Sequence, residues 1–164
     1  MHFKFCPYCG KELKNRIIGD EGAVPFCERC EIPLFDMFSV CVIAAVQNEY
    51  QEVALLMQDH CSESYYTLVS GYMKPNENAE TAIRREISEE LGIEVETAKL
   101  VDTYWFDKKG MLMIGFICTA KKAEFQLSKE VQRASWVAVL DAFGMVHPKG
   151  SISYDLIERC AGIL

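Results

Sequence analysis

The sequence predicts an α/β protein, a mixed sheet sandwiched between helices, preceded by a small module that lacks an apolar core of its own. Three observations lead there. The 164 residues are 50% hydrophobic, which suits one compact core with a small satellite. From residue 38 onward, apolar β-branched runs and helix-period segments follow one another without strict alternation. Ahead of them lie two Cys-x-x-Cys pairs in a segment too short for an apolar core.

The module comes first in the chain. "CPYCG" at 6–10 and "CERC" at 27–30 each present two thiols from one tight turn. Gly10 supplies the backbone freedom that such a knuckle needs. Cys6, Cys9, Cys27 and Cys30 together make a four-sulfur site that suits tetrahedral zinc, with iron the alternative in the same ligand set. The segment is too short to bury a core, so a metal stands in for one. Phe3, Phe5 and Tyr8 are expected to pack the module. Lys11, Lys14 and Arg16 carry positive charge, but Glu12, Asp20, Glu21, Glu28 and Glu31 dilute it. A structural or dimer-supporting role therefore fits better than nucleic-acid binding. Residues 1–36 form this module and 37–164 the second domain, with "EIPLFDM" (31–37) as the link.

In the second domain "FSVCVIAAV" (38–46) is a continuous apolar run, hence a strand covered on both faces. "EVALLMQ" (52–58) follows across a polar turn, which reads as a hairpin. "YYTLVSGYM" (65–73) is extended and "ETAIRREISEEL" (80–91) is helical. "AKLVDTYWF" (98–106) and "MLMIGFICTA" (111–120) make a second hairpin around "DKKG", and "RASWVAV" (133–139) is a further strand. "LDAFGMV" (140–146) and "SYDLIERCAGI" (153–163) read as helices. Cys41, Cys61, Cys118 and Cys160 are expected to be small buried hydrophobes or inert thiols.

The formal net charge of −7 argues against a general nucleic-acid binder. No run approaches the roughly eighteen apolar residues of a membrane span, and the N-terminus lacks the apolar stretch of a signal peptide. A cytoplasmic protein is expected.

The acids of "RREISEELG" (84–92) carry the chemistry. On a helix, Glu86, Glu89 and Glu90 are spaced i, i+3, i+4 and share one stripe beside the apolar Ile83, Ile87 and Leu91. Like charges so placed destabilise the helix unless cations join them. Hard carboxylate oxygens at a site open to water favour magnesium or manganese. A solvated face balanced by Arg84 and Arg85 is the bland alternative, and the longer pattern decides against it. From Gly71 the chain reads glycine, five residues, Glu77, seven residues, then Arg85-Glu86-Ile87-x-Glu89-Glu90-x-Gly92-Ile93. This resembles the signature of the Nudix hydrolases over its full length.

The resemblance implies cleavage of the pyrophosphate bond in a nucleoside diphosphate linked to another group. By position, Glu86 and Glu90 would be metal ligands, and Glu89 a further ligand or a proton acceptor. Arg85 would hold the glutamates in place, and Glu77 would brace the loop. The Gly71 carbonyl would also face the metal. Glu130, ahead of Trp136 in "KEVQRASW", corresponds to a further metal-site glutamate. A four-cysteine ribbon ahead of such a domain is similar to the NADH pyrophosphatases, some of which remove NAD caps from RNA, and also to FAD-cleaving relatives. The proline-rich tag of the NADH enzymes is replaced here by "TYWFDKKGM" (103–111). The resemblance therefore implies a dinucleotide such as NADH, NAD or FAD without fixing it, with ADP-ribose or another nucleotide sugar, or a non-catalytic nucleotide-sensing module, as the alternatives. Tyr104, Trp105 and Phe106 are candidates to stack on a flat ring, against alternating strand packing. Lys108 and Lys109 read as turn residues and His147 as structural. Related enzymes often dimerise, which extends a homodimer to this chain as an expectation.

Overall fold

The structure is a computed structural model that describes residues 3–58 and 64–163; Cys61 lies outside them. Two compact units result, Met1–Phe38 and Ser39–Leu164.

In the first unit, strands β1 (Lys14–Ile17), β2 (Ala23–Cys27) and β3 (Ile32–Pro33) form an antiparallel sheet in that order. The expected link thus contains a strand, which returns the chain alongside β2. Buried apolar side chains among the described residues of this unit are Cys6, Val24, Phe26 and Cys27, too few for an independent core. Phe5 and Tyr8 do not pack the module as expected. They are 59% and 77% exposed, because the knuckle backbone turns its side chains outward around the sulfurs.

The second unit holds one sheet of six strands. They are β4 (Ser39–Gln47), β5 (Glu52–Gln58), β6 (Val69–Tyr72), β7 (Val95–Phe106), β8 (Met111–Ala120) and β9 (Val131–Ala138). The order is β7-β8-β4-β5-β9, with β6 paired to β4. β4 and β8 run parallel and the other pairs antiparallel, so the sheet is mixed. The expected β4–β5 hairpin survives only at its turn, where Gln47 faces Val53. Beyond it β6 enters and takes Cys41 to Ala44 of β4 as partners, while Thr67 bridges Leu56 of β5. The turn itself is held by Asn48, whose Oδ1 accepts from the Tyr50 and Glu52 amides at 2.9 and 3.1 Å.

Strict alternation sends β4 side chains to two cores. Val42, Ala44 and Val46 join Ala54, Leu56, Phe116 and Cys118 under helix α1 (Ala79–Leu91). Cys41, Ile43 and Ala45 join Val53, Leu55 and Met113 under the short helix α2 (Val139–Ala142) and helix α3 (Ile152–Cys160). Coverage on both faces explains the unbroken apolar reading of 38–46. The helix expected over 140–146 stops at Ala142, because Val146 pairs with Tyr66 in a parallel bridge. Arg159 of α3 donates to Asp155 at 2.9 Å and to Asp102 of β7 at 2.7 Å, and the Tyr104 hydroxyl donates to Asp155. Burial pushes the Cys118 and Cys160 thiols up to about 12, which keeps both protonated and unreactive.

Candidate functional site

Two groups of chemistry-bearing side chains stand out, one in each unit. In the first, the Cys6 amide donates to the Lys11 carbonyl and the Gly10 amide to the Cys6 carbonyl, with Gly10 at φ 71°. The Cys30 amide points at the Cys27 sulfur at 3.4 Å. The four sulfurs of Cys6, Cys9, Cys27 and Cys30 lie within 4.8 Å of one another, and among the described residues no other set of Cys, His, Asp or Glu does so. The Cys30 amide holds the Cys27 thiol down at about 7, whereas the hydrogen bond with Cys9 pushes Cys30 up to about 12. Four thiolates cannot share this space without a cation. The donor set fits a soft, tetrahedral metal ion.

The second group is built on α1. Asn78 starts the helix by accepting from the Thr81 amide at 2.8 Å, and Gly92 ends it in the left-handed conformation at φ 67°. The three glutamates differ in exposure. Side-chain exposure is 12% for Glu86 and 52% for Glu89. Glu90 is only 5% exposed, because it shares the buried face with Ile83 and Ile87 instead of projecting beside Glu89.

Arg85 sits at the centre of this group. Its Nε and Nη2 donate to Glu77 at 2.5 and 2.9 Å, and its Nη1 donates to Glu86 at 2.7 Å and Glu89 at 2.9 Å. Nη2 also donates to the Tyr72 carbonyl at 3.1 Å. One planar guanidinium thus fixes helix, loop and β6 together. It also answers the repulsion between Glu86 and Glu89. Arg84 takes no part, since it reaches the Val95 carbonyl at 2.5 Å. Arg85 holds the Glu77 carboxyl down to about 2, assisted by the Lys74 amide.

Gly71 lies in register with Val42, directly beneath Glu86. A Cβ there would stand 2.1 Å from the Glu86 carboxyl carbon, so only glycine lets the carboxylate lie over the strand.

Glu90 Oε1 accepts from Gln58 Nε2 at 2.8 Å, and its Oε2 has no hydrogen-bond partner. Burial, then the charges of Glu86, Glu130 and Glu89, raise its pKa to about 8 despite the Gln58 bond. A buried oxygen without a partner, in the field of three further carboxylates, fits a divalent cation, which would restore both the missing partner and the charge balance. Glu130 reaches this neighbourhood because Gln126 and Ser128 donate their amides to the Leu91 and Glu90 carbonyls, pinning the segment to the end of α1. Gln58 is the site residue that sequence reasoning missed. Its parity with Ala54 and Leu56 was the available signal, a polar residue at an inward position of an apolar strand.

The other candidates stand elsewhere. Trp105 is 53% exposed, while Phe106 packs partly against the α2–α3 core. Trp105 faces Leu112, Leu112 faces Val40, and the Met73 amide donates to Val40. Trp105 is therefore three strand spacings, roughly 14 Å, from the glutamate-bearing loop. Lys108 and Lys109 lie in the β7–β8 turn, and the His147 ring lies against Tyr65 at a tilt of 36°, with centroids 4.6 Å apart.

Residues 37–160 match the NUDIX domain. The chain is 24% identical over 161 residues, 98% of its length, to a protein from Photobacterium profundum described as the NAD-capped RNA hydrolase NudC, of which it spans 59%. Its fold is similar to that of a NUDIX hydrolase from Nitrosomonas europaea, with TM-score 0.77 and 22% identity over 96% of this chain and 89% of that one. It is also similar to the NUDIX domain of Shewanella oneidensis NrtR complexed with ADP ribose, with TM-score 0.67 and 14% identity over 84% of this chain and 93% of that one. A match of this extent, with Glu77, Glu86 and Glu89 of the signature gathered around Arg85, means that the chain belongs to the NUDIX domain family.

Proposed function

We propose that the chain is a divalent-metal-dependent hydrolase that cleaves the pyrophosphate bond of a nucleoside diphosphate derivative. The unpartnered, buried Glu90 Oε2 among neighbouring carboxylates carries this reading. Glu86 and Glu90, with Glu89, Glu130 and the Gly71 carbonyl, would hold magnesium or manganese. Such an ion, when bound, supplies charge neutralisation at phosphate oxygens and activation of water. The residues of the chain do the rest. Arg85 and Glu77 keep the carboxylates aimed, and Gln58 keeps Glu90 from turning away. Glu89, the most exposed of the three, is the candidate proton acceptor. The four cysteines hold structural zinc in this reading.

A dinucleotide such as NADH, NAD or FAD is the proposed substrate. Trp105 lies far enough from α1 that a diphosphate at the glutamates and a flat ring near Trp105 call for a long, two-headed molecule. The description of the Photobacterium profundum relative supports the same class and adds NAD-capped RNA. ADP-ribose or another nucleotide sugar is the second reading, supported by the ligand of the Shewanella oneidensis neighbour. A non-catalytic sensing module is disfavoured, since every glutamate of the signature is present. A cytoplasmic homodimer is the proposed working form; among the described residues no helix is long and apolar enough to cross a membrane.

The test is incubation with magnesium or manganese and NADH, NAD, FAD, ADP-ribose, diadenosine polyphosphates, nucleoside triphosphates and NAD-capped RNA. Release of mononucleotides from a dinucleotide supports the reading. Turnover of ADP-ribose alone moves the substrate to the second reading, and tight binding without turnover points to sensing.

Gly71→Ala gives a separate check. The added methyl must push the Glu86 carboxylate aside, and a misplacement of about 1 Å costs about a hundredfold in turnover. Steady-state rates beside a thermal melt measure this, and an unchanged rate would contradict the placement of Glu86.

A further inference from the structure

Lys74 is an exposed lysine whose backbone is held from both sides. Its amide donates to Glu77 Oε2 at 2.9 Å, and its carbonyl accepts from the Glu77 amide at 3.2 Å. Pro75 follows and restricts its backbone, and Asn76 turns the loop at φ 68°. Glu77 is itself clamped by two bonds from Arg85. The base of Lys74 is thus fixed by the brace that fixes the glutamates.

From there its Nζ reaches Glu89 Oε1 at 3.4 Å, while Glu89 Oε2 takes Arg85 at 2.9 Å. Lys74 and Glu89 have side chains 57% and 52% exposed. An ion pair so open to water adds little to stability and separates at little cost. If Glu89 turns one oxygen toward a divalent cation, the ammonium loses its partner at the mouth of the site. The nearest use for a displaced cation there is an anionic substrate.

We propose that Lys74 is a diphosphate-binding residue, parked on Glu89 in the free protein and transferred to a phosphate oxygen of the substrate on binding. This rests on the proposed pyrophosphatase reading and adds a recognition group to it. The transfer moves no covalent bond and no proton. The ammonium exchanges one oxyanion partner for another.

Two readouts test it. In the first, Lys74→Ala raises KM for the dinucleotide by about tenfold, as expected for one lost charge-assisted bond, and leaves kcat within about threefold. Lys74→Glu raises KM further, and Lys74→Arg restores it. In the second, calorimetry with manganese and α,β-methylene-ADP, a diphosphate whose bridging oxygen is replaced, shows about tenfold weaker binding to Lys74→Ala. Equal binding by wild type and Lys74→Ala overturns the proposal, as does a fall in kcat at constant KM, which would place Lys74 behind Glu89 instead. If wild type turns over no dinucleotide but still loses methylene-ADP affinity on Lys74→Ala, the pyrophosphatase reading fails while the binding role stands.

Discussion

Glu90→Gln will make the metal-free protein more stable at neutral pH and at the same time nearly abolish turnover. The reason lies in where the carboxyl sits. Glu90 is buried beside Glu86, and its pKa is raised from an ordinary 4.5 to about 8. An acid whose folded pKa is raised opposes folding as pH climbs, because the unfolded chain releases the proton at 4.5 and the folded one retains it until 8. Stability of the wild type therefore declines between these values and levels off above the upper one. Each pH unit in that window costs about 1.4 kcal/mol for a fully desolvated group, and water at the rim of the site reduces the sum to about 2 kcal/mol at pH 7. Glutamine has the same shape, can still accept from Gln58, and carries no titrating proton. The gain in stability should be small at pH 5, grow toward pH 8, and vanish when manganese is added to the wild type. Turnover should fall by about a thousandfold or more, since one charged ligand of the cation is lost. Chemical denaturation across pH in chelator, beside initial rates with metal, measures both arms. A destabilised Glu90→Gln in chelator would contradict the assignment of Glu90 as a strained, cation-seeking group.

The second large effect concerns the first unit. Removing the metal proposed for it, by a strong chelator or by Cys27→Ser, should unfold Met1–Phe38 and leave Ser39–Leu164 folded. Among the described residues the first unit buries only Cys6, Val24, Phe26 and Cys27 as apolar side chains, and two of those are proposed ligands. Metal binding in such a module is its folding free energy, about 10 kcal/mol or more in comparable zinc knuckles. The expected readout is rapid proteolytic cleavage at Lys11, Lys14 or Arg16, with the remainder of the chain resistant. Metal analysis should find one zinc per chain in the wild type and none in Cys27→Ser. A coloured, iron-containing protein would replace zinc by iron in the same site, and a protease-resistant metal-free unit would remove the metal's structural role.

Much of this architecture is legible in the residues because the signals are local. Helix α1 begins at an asparagine that accepts from the helix amide, ends at a glycine with φ 67°, and lies within a residue of its expected start. The unbroken apolar run of β4 marks a strand covered on both faces, and the two cores on either side of it bear this out. What stayed hidden depends on contacts distant in sequence. The β4–β5 hairpin is opened by β6, which enters from beyond residues 59–63. No periodicity reports that intrusion. Spacing placed Glu86, Glu89 and Glu90 on one stripe, but it could not grade their burial. That grading comes from the sheet beneath Glu90 and from Gln58, thirty-two residues away. Glu130 is brought near only because the amides of Gln126 and Ser128 satisfy the last carbonyls of α1. Phe5 and Tyr8 looked like core residues by composition and are exposed, since the knuckles spend their interior on sulfur.

The central claim is that α1 and its brace form a divalent-cation site. It is tested most directly by manganese binding followed by electron paramagnetic resonance, with wild type and Glu90→Gln titrated side by side. Saturable loss of the free manganese signal with wild type, largely abolished in Glu90→Gln and unaffected by Cys27→Ser, is the predicted result. Equal manganese binding by wild type and Glu90→Gln would contradict it.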